Sequence, residues 1–188
     1  MRSFMQEIQE KREEMKSTWN RVLPTNELLF DRWAKARYIG AGDGTSIYDS
    51  SMILGEVQIG ENTWVGPFTL LDGSGGGLTI GNYCSISAGV QIYTHDTVQW
   101  SVSGGKQPRT TGPTKIGDRC YIAPMCIISK GVTIGTGCVI GANSFVNKSF
   151  PDYTIIAGTP ARKIGEVRLD EDGNVTLDYS YKSQDHSC

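Results

Sequence analysis

The sequence contains only two histidines, and no apolar run approaches the length of a membrane span. A zinc centre of three histidines would lack ligands, and a membrane helix needs about 20 mostly apolar residues. The five cysteines include no C-x-x-C pair, which disfavours a cysteine zinc site or a redox motif. A formal net charge of −2 gives no basic surface for nucleic acid. We therefore expect a protein that needs no metal, and the charged N-terminus, unlike a signal peptide, predicts a cytoplasmic location.

Glycine, in contrast, is abundant, with 23 residues among 188, and it accompanies a six-residue repeat of aliphatic side chains. Neither the helix period of 3.6 nor the strand period of 2 produces this spacing. A fixed short repeat indicates a parallel β-helix, in which each hexad forms a strand and a corner and three hexads form one coil. The repeated positions are Ile47, Ile53, Ile59, Val65, Leu71, Ile80, Ile86, Ile92, Ile116, Ile122, Ile128, Ile134, Ile140 and Val146. The sequence predicts an all-β solenoid over residues 39–165, with these side chains inside.

Four of the cysteines follow the same repeat. Cys84, Cys120, Cys126 and Cys138 each stand two residues before an inward aliphatic. Positions two apart face the same side of a strand, so these thiols should be buried. We interpret them as small packing groups, whereas Cys188 at the C-terminus should be exposed.

The two ends of the chain lack the hexad repeat. Apolar residues in segment 1–38 recur at helical spacing among charged residues, which predicts helices. A solenoid needs such an N-terminal helical cap because its end coil leaves strand edges and core open. In segment 166–188, Asp172-Gly173 lies between two alternating runs and predicts a hairpin followed by a tail.

The repeat is interrupted twice. The first break, residues 72–77, is rich in glycine and predicts a bulging corner; it lacks the Lys-Ser/Thr and the following helix of a phosphate-binding loop. The second break, residues 93–113, is a polar loop that contains His95. Loops of this length inside a compact domain are usually functional, so this protruding loop is the main candidate site.

The hexads, the histidine at the mouth of the loop, and the ending Ala-Gly-Thr-Pro-Ala-Arg at 157–162 resemble the hexapeptide-repeat acetyltransferases. The likeness extends over roughly residues 47–164 and is strongest to the branch of maltose, galactoside and polysaccharide-modifying sugar O-acetyltransferases. It implies a left-handed β-helix, a homotrimer with active sites between subunits, acetyl-CoA as donor and a saccharide acceptor. The β-helical carbonic anhydrases need three zinc-binding histidines, and only two exist here.

The resemblance also implies roles for particular residues. His95 corresponds to the general base of direct acetyl transfer in a ternary complex. Small residues on later coils, here Ala123 and Ala142, correspond to the positions that receive the pantetheine arm. Polar and basic residues correspond to the positions around the adenosine end of CoA, and these are Asn147, Lys148, Arg162 and Lys163.

The residues themselves support a base at His95. An imidazole with a pKa near 6.5 suits removal of a hydroxyl proton at neutral pH. Its ring needs an orienting partner, and Asp72 is the first candidate because it follows Leu71 as Tyr93 follows Ile92. Asp96 is the second candidate and a backbone carbonyl the third.

Other contacts stay open. Asp96 and Trp100 are candidate substrate contacts, although Trp100 equally fits a role in packing the loop. A backbone N–H near Ser87, or one from a neighbouring subunit, would stabilise the oxyanion.

Two departures from the maltose and galactoside pattern leave the acceptor open. The loop lacks the two extra residues that this branch carries before its histidine, and its acceptor-binding asparagine has no clear counterpart near Phe68-Thr69. An N-acetyltransferase of a nucleotide-linked amino sugar is therefore an alternative to an O-acetyltransferase. A non-catalytic β-helix scaffold is a third interpretation.

Overall fold

The aliphatic repeat folds into a parallel β-helix with three faces, as shown by a computed structural model that describes residues 3–180. Face one is a ladder of six short strands: β1 (Ser46–Ile47), β3 (Trp64–Val65), β5 (Ser85–Ile86), β10 (Tyr121–Ile122), β13 (Val139–Ile140) and β15 (Thr154–Gly158). Each strand pairs in parallel with the equivalent strand of the next coil, so the aliphatic side chains stack in register.

The other two faces share two long strands that pass around a corner, β2 (Met52–Ile59) and β4 (Leu70–Ile80). Face two is completed by β6 (Gln91–Ile92), β11 (Ile127–Ile128) and β14 (Phe145–Val146). Face three is completed by β9 (Thr114–Ile116) and β12 (Thr133–Ile134). The glycine-rich break at 72–77 is therefore part of strand β4, where the pairing with β2 shifts register between Gly55 and Val57.

The repeated aliphatic side chains form a single core. All of the predicted inward positions are buried except Ile53, which is partly buried and packs against the same core. Cys84, Cys120, Cys126 and Cys138 are also buried, as predicted, and each thiol donates to a backbone carbonyl across a corner. These four cysteines are free thiols and pack as small apolar groups.

Three helices precede the first coil: α1 (Phe4–Trp19), α2 (Thr25–Leu29) and α3 (Arg32–Tyr38). Helix α3 places Ala36 in the core, and Lys35 Nζ donates to the carbonyls of Tyr48, Asp49 and Ser51 at 3.1, 2.7 and 2.7 Å. These contacts satisfy carbonyls of the end coil, and the role of the whole segment 1–38 as a cap stays a prediction.

The C-terminal hairpin is joined to face one. Strand β16 (Ala161–Leu169) pairs antiparallel with β15, and β17 (Val175–Asp178) pairs antiparallel with β16. The hairpin strand thus begins before the predicted boundary at 166, because its first half continues the face-one sheet. Residues 181–188, which include Cys188, lie outside the described residues.

The protruding loop has secondary structure of its own. Strands β7 (His95–Asp96) and β8 (Thr110–Thr111) pair antiparallel, and helix α4 (Val98–Val102) lies between them. Within residues 3–180, no helix is both long and apolar enough to cross a membrane.

Candidate active site

The His95 ring lies against a buried carboxylate. Its Nδ1 is 2.7 Å from Asp72 Oδ2, and the Asp72 side chain is 1 % exposed whereas that of His95 is 27 % exposed. An ionised carboxylate can only accept, so a nitrogen at this distance must carry the shared proton. The arrangement therefore selects the Nδ1–H tautomer and leaves Nε2 to accept a proton.

The ladder of face two explains this contact. Leu71 pairs with Ile92, so the residues that follow them, Asp72 and Tyr93, lie on adjacent coils about 4.8 Å apart. The Asp72 side chain can therefore reach the start of the loop two residues further on. Among the residues described, Asp72 and not Asp96 contacts the imidazole.

Ser74 completes the environment of the carboxylate. Its backbone N–H and its hydroxyl donate to Asp72 Oδ1 at 2.9 and 2.6 Å, and its Oγ is 3.3 Å from His95 Nδ1. Burial alone would raise the pKa of Asp72, but the two hydrogen bonds from Ser74 and the adjacent His95 outweigh it and leave that pKa lowered. Asp72 is thus held ionised.

The Asp96 carboxylate contacts groups of the loop and of the next coil instead of the His95 ring. Its Oδ2 is 2.7 Å from Lys130 Nζ, and its Oδ1 accepts from the Thr110 hydroxyl and the Val98 N–H. The contact with Lys130 is the main cause that lowers the pKa of Asp96 to about 2. These bonds tie the loop to the next coil, while the predicted contact of Asp96 with substrate stays a prediction.

Trp100 lies on helix α4 with its side chain about half exposed. Its indole Nε1 would be 3.6 Å from a Cβ built on Gly105, so one edge packs on the end of the loop. The remainder of the ring is available to a ligand, which keeps both predicted roles of Trp100 open.

The residues predicted to bind CoA lie at two different corners. The residues that follow the face-two strands, here called the histidine corner, are Asp72, Tyr93, Ser129 and Asn147. The residues that follow the face-one strands, here called the alanine corner, are Ser87, Ala123, Gly141 and Ala157. Asn147 and Lys148 thus lie on the same side of the helix as His95, two coils further along, whereas Ala123 and Ala142 lie at the alanine corner.

The predicted cations differ in what they contact. Arg162 is exposed, and its backbone is the partner of Ala157 in the pairing of β15 with β16. Its Nη1 donates to the Ala161 carbonyl, so most of its guanidinium donors stay accessible. Lys148 Nζ lies 5.4 Å from the centre of the Phe150 ring. Lys163 forms an ion pair with Glu166. Of the predicted set, Arg162 therefore has the most accessible donors for the predicted contact with phosphate.

Sequence reasoning missed four side chains of this site. Ser74 contacts His95, and Thr94 donates to the Asp72 carbonyl. Lys130 forms an ion pair with Asp96, and Arg109 Nη2 donates to the Ser74 carbonyl at 3.2 Å. Their positions depend on the path of the loop, although the short Asp-Gly-Ser stretch beside the predicted partner of His95 was a usable signal for Ser74. No cluster of three or more metal-ligating side chains occurs within residues 3–180.

The fold and the histidine corner define a class, the β-helical transferases, and comparisons with known proteins narrow it. The family description "bacterial transferase hexapeptide (six repeats)" matches residues 113–148. Galactoside O-acetyltransferase of Escherichia coli K12 is 30 % identical over 144 residues, covering 66 % of this chain and 71 % of that protein. The chain belongs to the hexapeptide-repeat acetyltransferase family, and the predicted left-handed parallel β-helix is confirmed.

A second relative matches a shorter part of the chain. The putative colanic acid biosynthesis acetyltransferase WcaF of E. coli K12 is 34 % identical over 106 residues, which cover 47 % of this chain and 58 % of WcaF. The match thus spans less than two thirds of WcaF.

Two solved structures share the fold. The N-acyltransferase AntD from Bacillus cereus, in complex with dTDP and 3-hydroxybutyryl-CoA, superposes with a TM-score of 0.61 at 27 % identity, covering 67 % of this chain and 71 % of AntD. A hexapeptide-repeat acetyltransferase from Vibrio cholerae O1 biovar eltor, complexed with acetyl coenzyme A, has a TM-score of 0.53 at 27 % identity, covering 87 % of this chain and 90 % of that chain.

Proposed function

We propose that this protein is an acetyl-CoA-dependent O-acetyltransferase that acetylates a sugar hydroxyl, with His95 as general base. The observation that carries the proposal is the 2.7 Å contact between His95 Nδ1 and the buried Asp72 carboxylate at the mouth of the protruding loop. Similarity to galactoside O-acetyltransferase supports the hydroxyl acceptor, and the acetyl-CoA complex of the V. cholerae neighbour supports the donor.

The pair suits direct transfer without a covalent enzyme intermediate. His95 Nε2 accepts the acceptor's hydroxyl proton as that oxygen bonds to the thioester carbonyl carbon. Asp72 stabilises the imidazolium through the hydrogen bond to Nδ1. When the carbon–sulfur bond breaks, the imidazolium returns the proton to the departing sulfur, so His95 ends the cycle neutral.

The two corners support a site between subunits. His95 and Ala123 lie at different corners of one β-helix, so a donor site between two copies of the chain would bring both positions to one donor molecule. A ring of three copies would place the histidine corner of each subunit beside the alanine corner of the next. We therefore propose a homotrimer, in which Ala123, Ala142 and Arg162 of one subunit face the His95 loop of its neighbour.

A second candidate is N-acylation of a nucleotide-linked amino sugar. It is favoured by the similarity to AntD, an N-acyltransferase whose structure contains dTDP and an acyl-CoA. The same histidine would accept a proton from an ammonium or amine instead of a hydroxyl. A non-catalytic scaffold is the third candidate, and it predicts no acetyl transfer and no CoA binding.

Paired acceptors separate these candidates. Acetyl-CoA consumption is measured with galactose and galactosamine, and with their uridine diphosphate derivatives. We expect O-acetylated product, and we expect His95→Ala to lower kcat by about a hundredfold or more while CoA binding by calorimetry is retained. His186→Ala, which removes the other histidine of the sequence, is the control and should keep full activity. Near-wild-type turnover by His95→Ala would disprove the base, and exclusive amide formation would favour the second candidate.

A further inference from the structure

The glycine-rich break at 72–77 and the protruding loop contact each other at several points around His95. Thr94, which is fully buried, donates from Oγ1 to the Asp72 carbonyl and accepts from the Gly75 N–H, both at 2.8 Å. Arg109 donates to the Ser74 carbonyl. The protruding loop therefore packs on the glycine-rich break.

Within the glycine-rich break, Ser74 makes the contacts that bear on the His95 ring. The Ser74 hydroxyl has one proton, and it is directed to Asp72 Oδ1 at 2.6 Å. Its lone pairs then face His95 Nδ1 at 3.3 Å, where the Nδ1–H can be shared between Asp72 Oδ2 and Ser74 Oγ. Both carboxylate oxygens of Asp72 are thus occupied, one by Ser74 and one by His95.

We propose that Ser74 is a positioning residue that acts on His95 through Asp72, so that the working unit is Ser74–Asp72–His95. The hydroxyl fixes the rotation of the Asp72 carboxylate so that Oδ2 faces the ring, and it adds a second acceptor for the Nδ1 proton. This inference rests on the proposed role of His95 as a base. It extends that role by assigning a function to the glycine-rich break.

The two-proton chain has a chemical consequence. When Nε2 takes up the hydroxyl proton, the positive charge on the ring is met by a carboxylate that cannot rotate away. A mobile carboxylate would instead allow the Nε2–H tautomer to form, and the nitrogen that faces the acceptor would then carry a proton and could not act as a base. Ser74 therefore serves to keep the basic nitrogen directed outward.

The sequence makes a direct test feasible because the protein has only two histidines. Nitrogen-15 and carbon-13 spectra of histidine-labelled protein report the tautomer and the titration of each ring. Assignment follows from His95→Gln and His186→Gln. The measurement uses the full chain without donor or acceptor, so it does not depend on knowing the substrate.

Ser74→Ala is the diagnostic variant, and the exposed position of Ser74 allows the change without opening a cavity. We expect wild-type His95 to show a protonated Nδ1 and an unprotonated Nε2 above its titration. In Ser74→Ala, the Nε2–H form should appear in slow or intermediate exchange, and the acid-side inflection caused by Asp72 should move upward by about one pH unit. Ser74→Thr, which keeps the hydroxyl, should restore the wild-type pattern.

The charged groups around the unit are His95, Arg109 on the Ser74 carbonyl, and the Asp96–Lys130 ion pair of the loop. Ser103→Ala is the matched control, since that hydroxyl bonds only to Trp100 and Gln107 within the loop. The proposal is overturned if Ser74→Ala and Ser103→Ala both give wild-type spectra, or if Ser74→Thr and Ser74→Ala change them equally. Wild-type protein without acetyl transfer would instead disprove the proposed function and leave the spectroscopic result standing.

Discussion

Gly75 lies directly against the backbone of Thr94, so that a Cβ at position 75 would be 2.2 Å from the Thr94 carbonyl oxygen and 2.7 Å from His95 Cβ. Real Cβ atoms do not approach other atoms so closely. The loop that contains His95 can therefore pack here only because residue 75 is a glycine. This contact joins the two breaks in the hexad repeat, which are separated by one coil, into one structure.

Gly75→Ala should therefore displace His95 without altering any residue that contacts substrate. Misplacement of a catalytic group by about 1 Å can cost roughly a hundredfold in rate, so we expect kcat to fall by about tenfold or more. Gly104→Asn, in the loop that contains His95, is the control, because a Cβ at position 104 meets no atom within 4 Å and asparagine tolerates the φ of +65° there. Steady-state kinetics measure kcat for both variants, and equal values would contradict the close-contact argument.

Asp72→Asn tests the orientation of the base. The amide has nearly the same shape, but its NH₂ group can donate and so favours the tautomer in which Nδ1 is bare. We expect kcat to fall by roughly tenfold to a hundredfold with little change in KM for acetyl-CoA. Asp118→Asn is the control because its Oδ1 caps only the Asn82 N–H at another corner. A larger effect on KM than on kcat would argue against an orienting role.

Asp72 should also make stability depend on pH. Its pKa is lowered in the folded protein, since the Ser74 hydrogen bonds and His95 outweigh the opposing effect of burial. A lowered folded pKa means that the stabilisation is present above the unfolded value of about 3.9 and is lost as pH falls through the folded value. Urea unfolding at fixed protein concentration should show that the difference in unfolding free energy between wild type and Asp72→Asn shrinks as the pH falls below about 4. A difference that widens with acid would contradict this sign.

Arg162→Gln tests the donor site. The guanidinium is exposed and bonded only to the adjacent Ala161 carbonyl, so its loss should remove a phosphate contact without disturbing strand β16. We expect KM for acetyl-CoA to rise by roughly tenfold, and KM for the acceptor to stay unchanged. Arg168→Gln on the same strand, whose guanidinium pairs with Asp178, is the control. A change confined to the acceptor would show that the donor site is misplaced.

Much of the fold could be predicted because it is a local property repeated along the chain. One aliphatic residue in every six, from Ile47 to Val146, places each side chain inside a coil whatever the coils beside it contain. The same six-residue spacing predicted that Asp72 lies near the base of the His95 loop and that four of the cysteines are buried. For residues 93–113 the sequence predicts only a polar loop. The structure shows the β7–β8 pair around α4 there, because pairing between the ends of the loop depends on residues that periodicity does not describe.

The amino-acid sequence by itself determined the coil, its inward residues and the corner from which the histidine emerges, since these follow from a period that every hexad repeats. The tertiary structure alone decided that Ser74 and Thr94 brace the pair, that Asp96 is neutralised by Lys130, and that the alanine corner lies apart from His95. Those contacts join residues from different coils and from a loop whose path is set by packing, so no spacing along the chain encodes them.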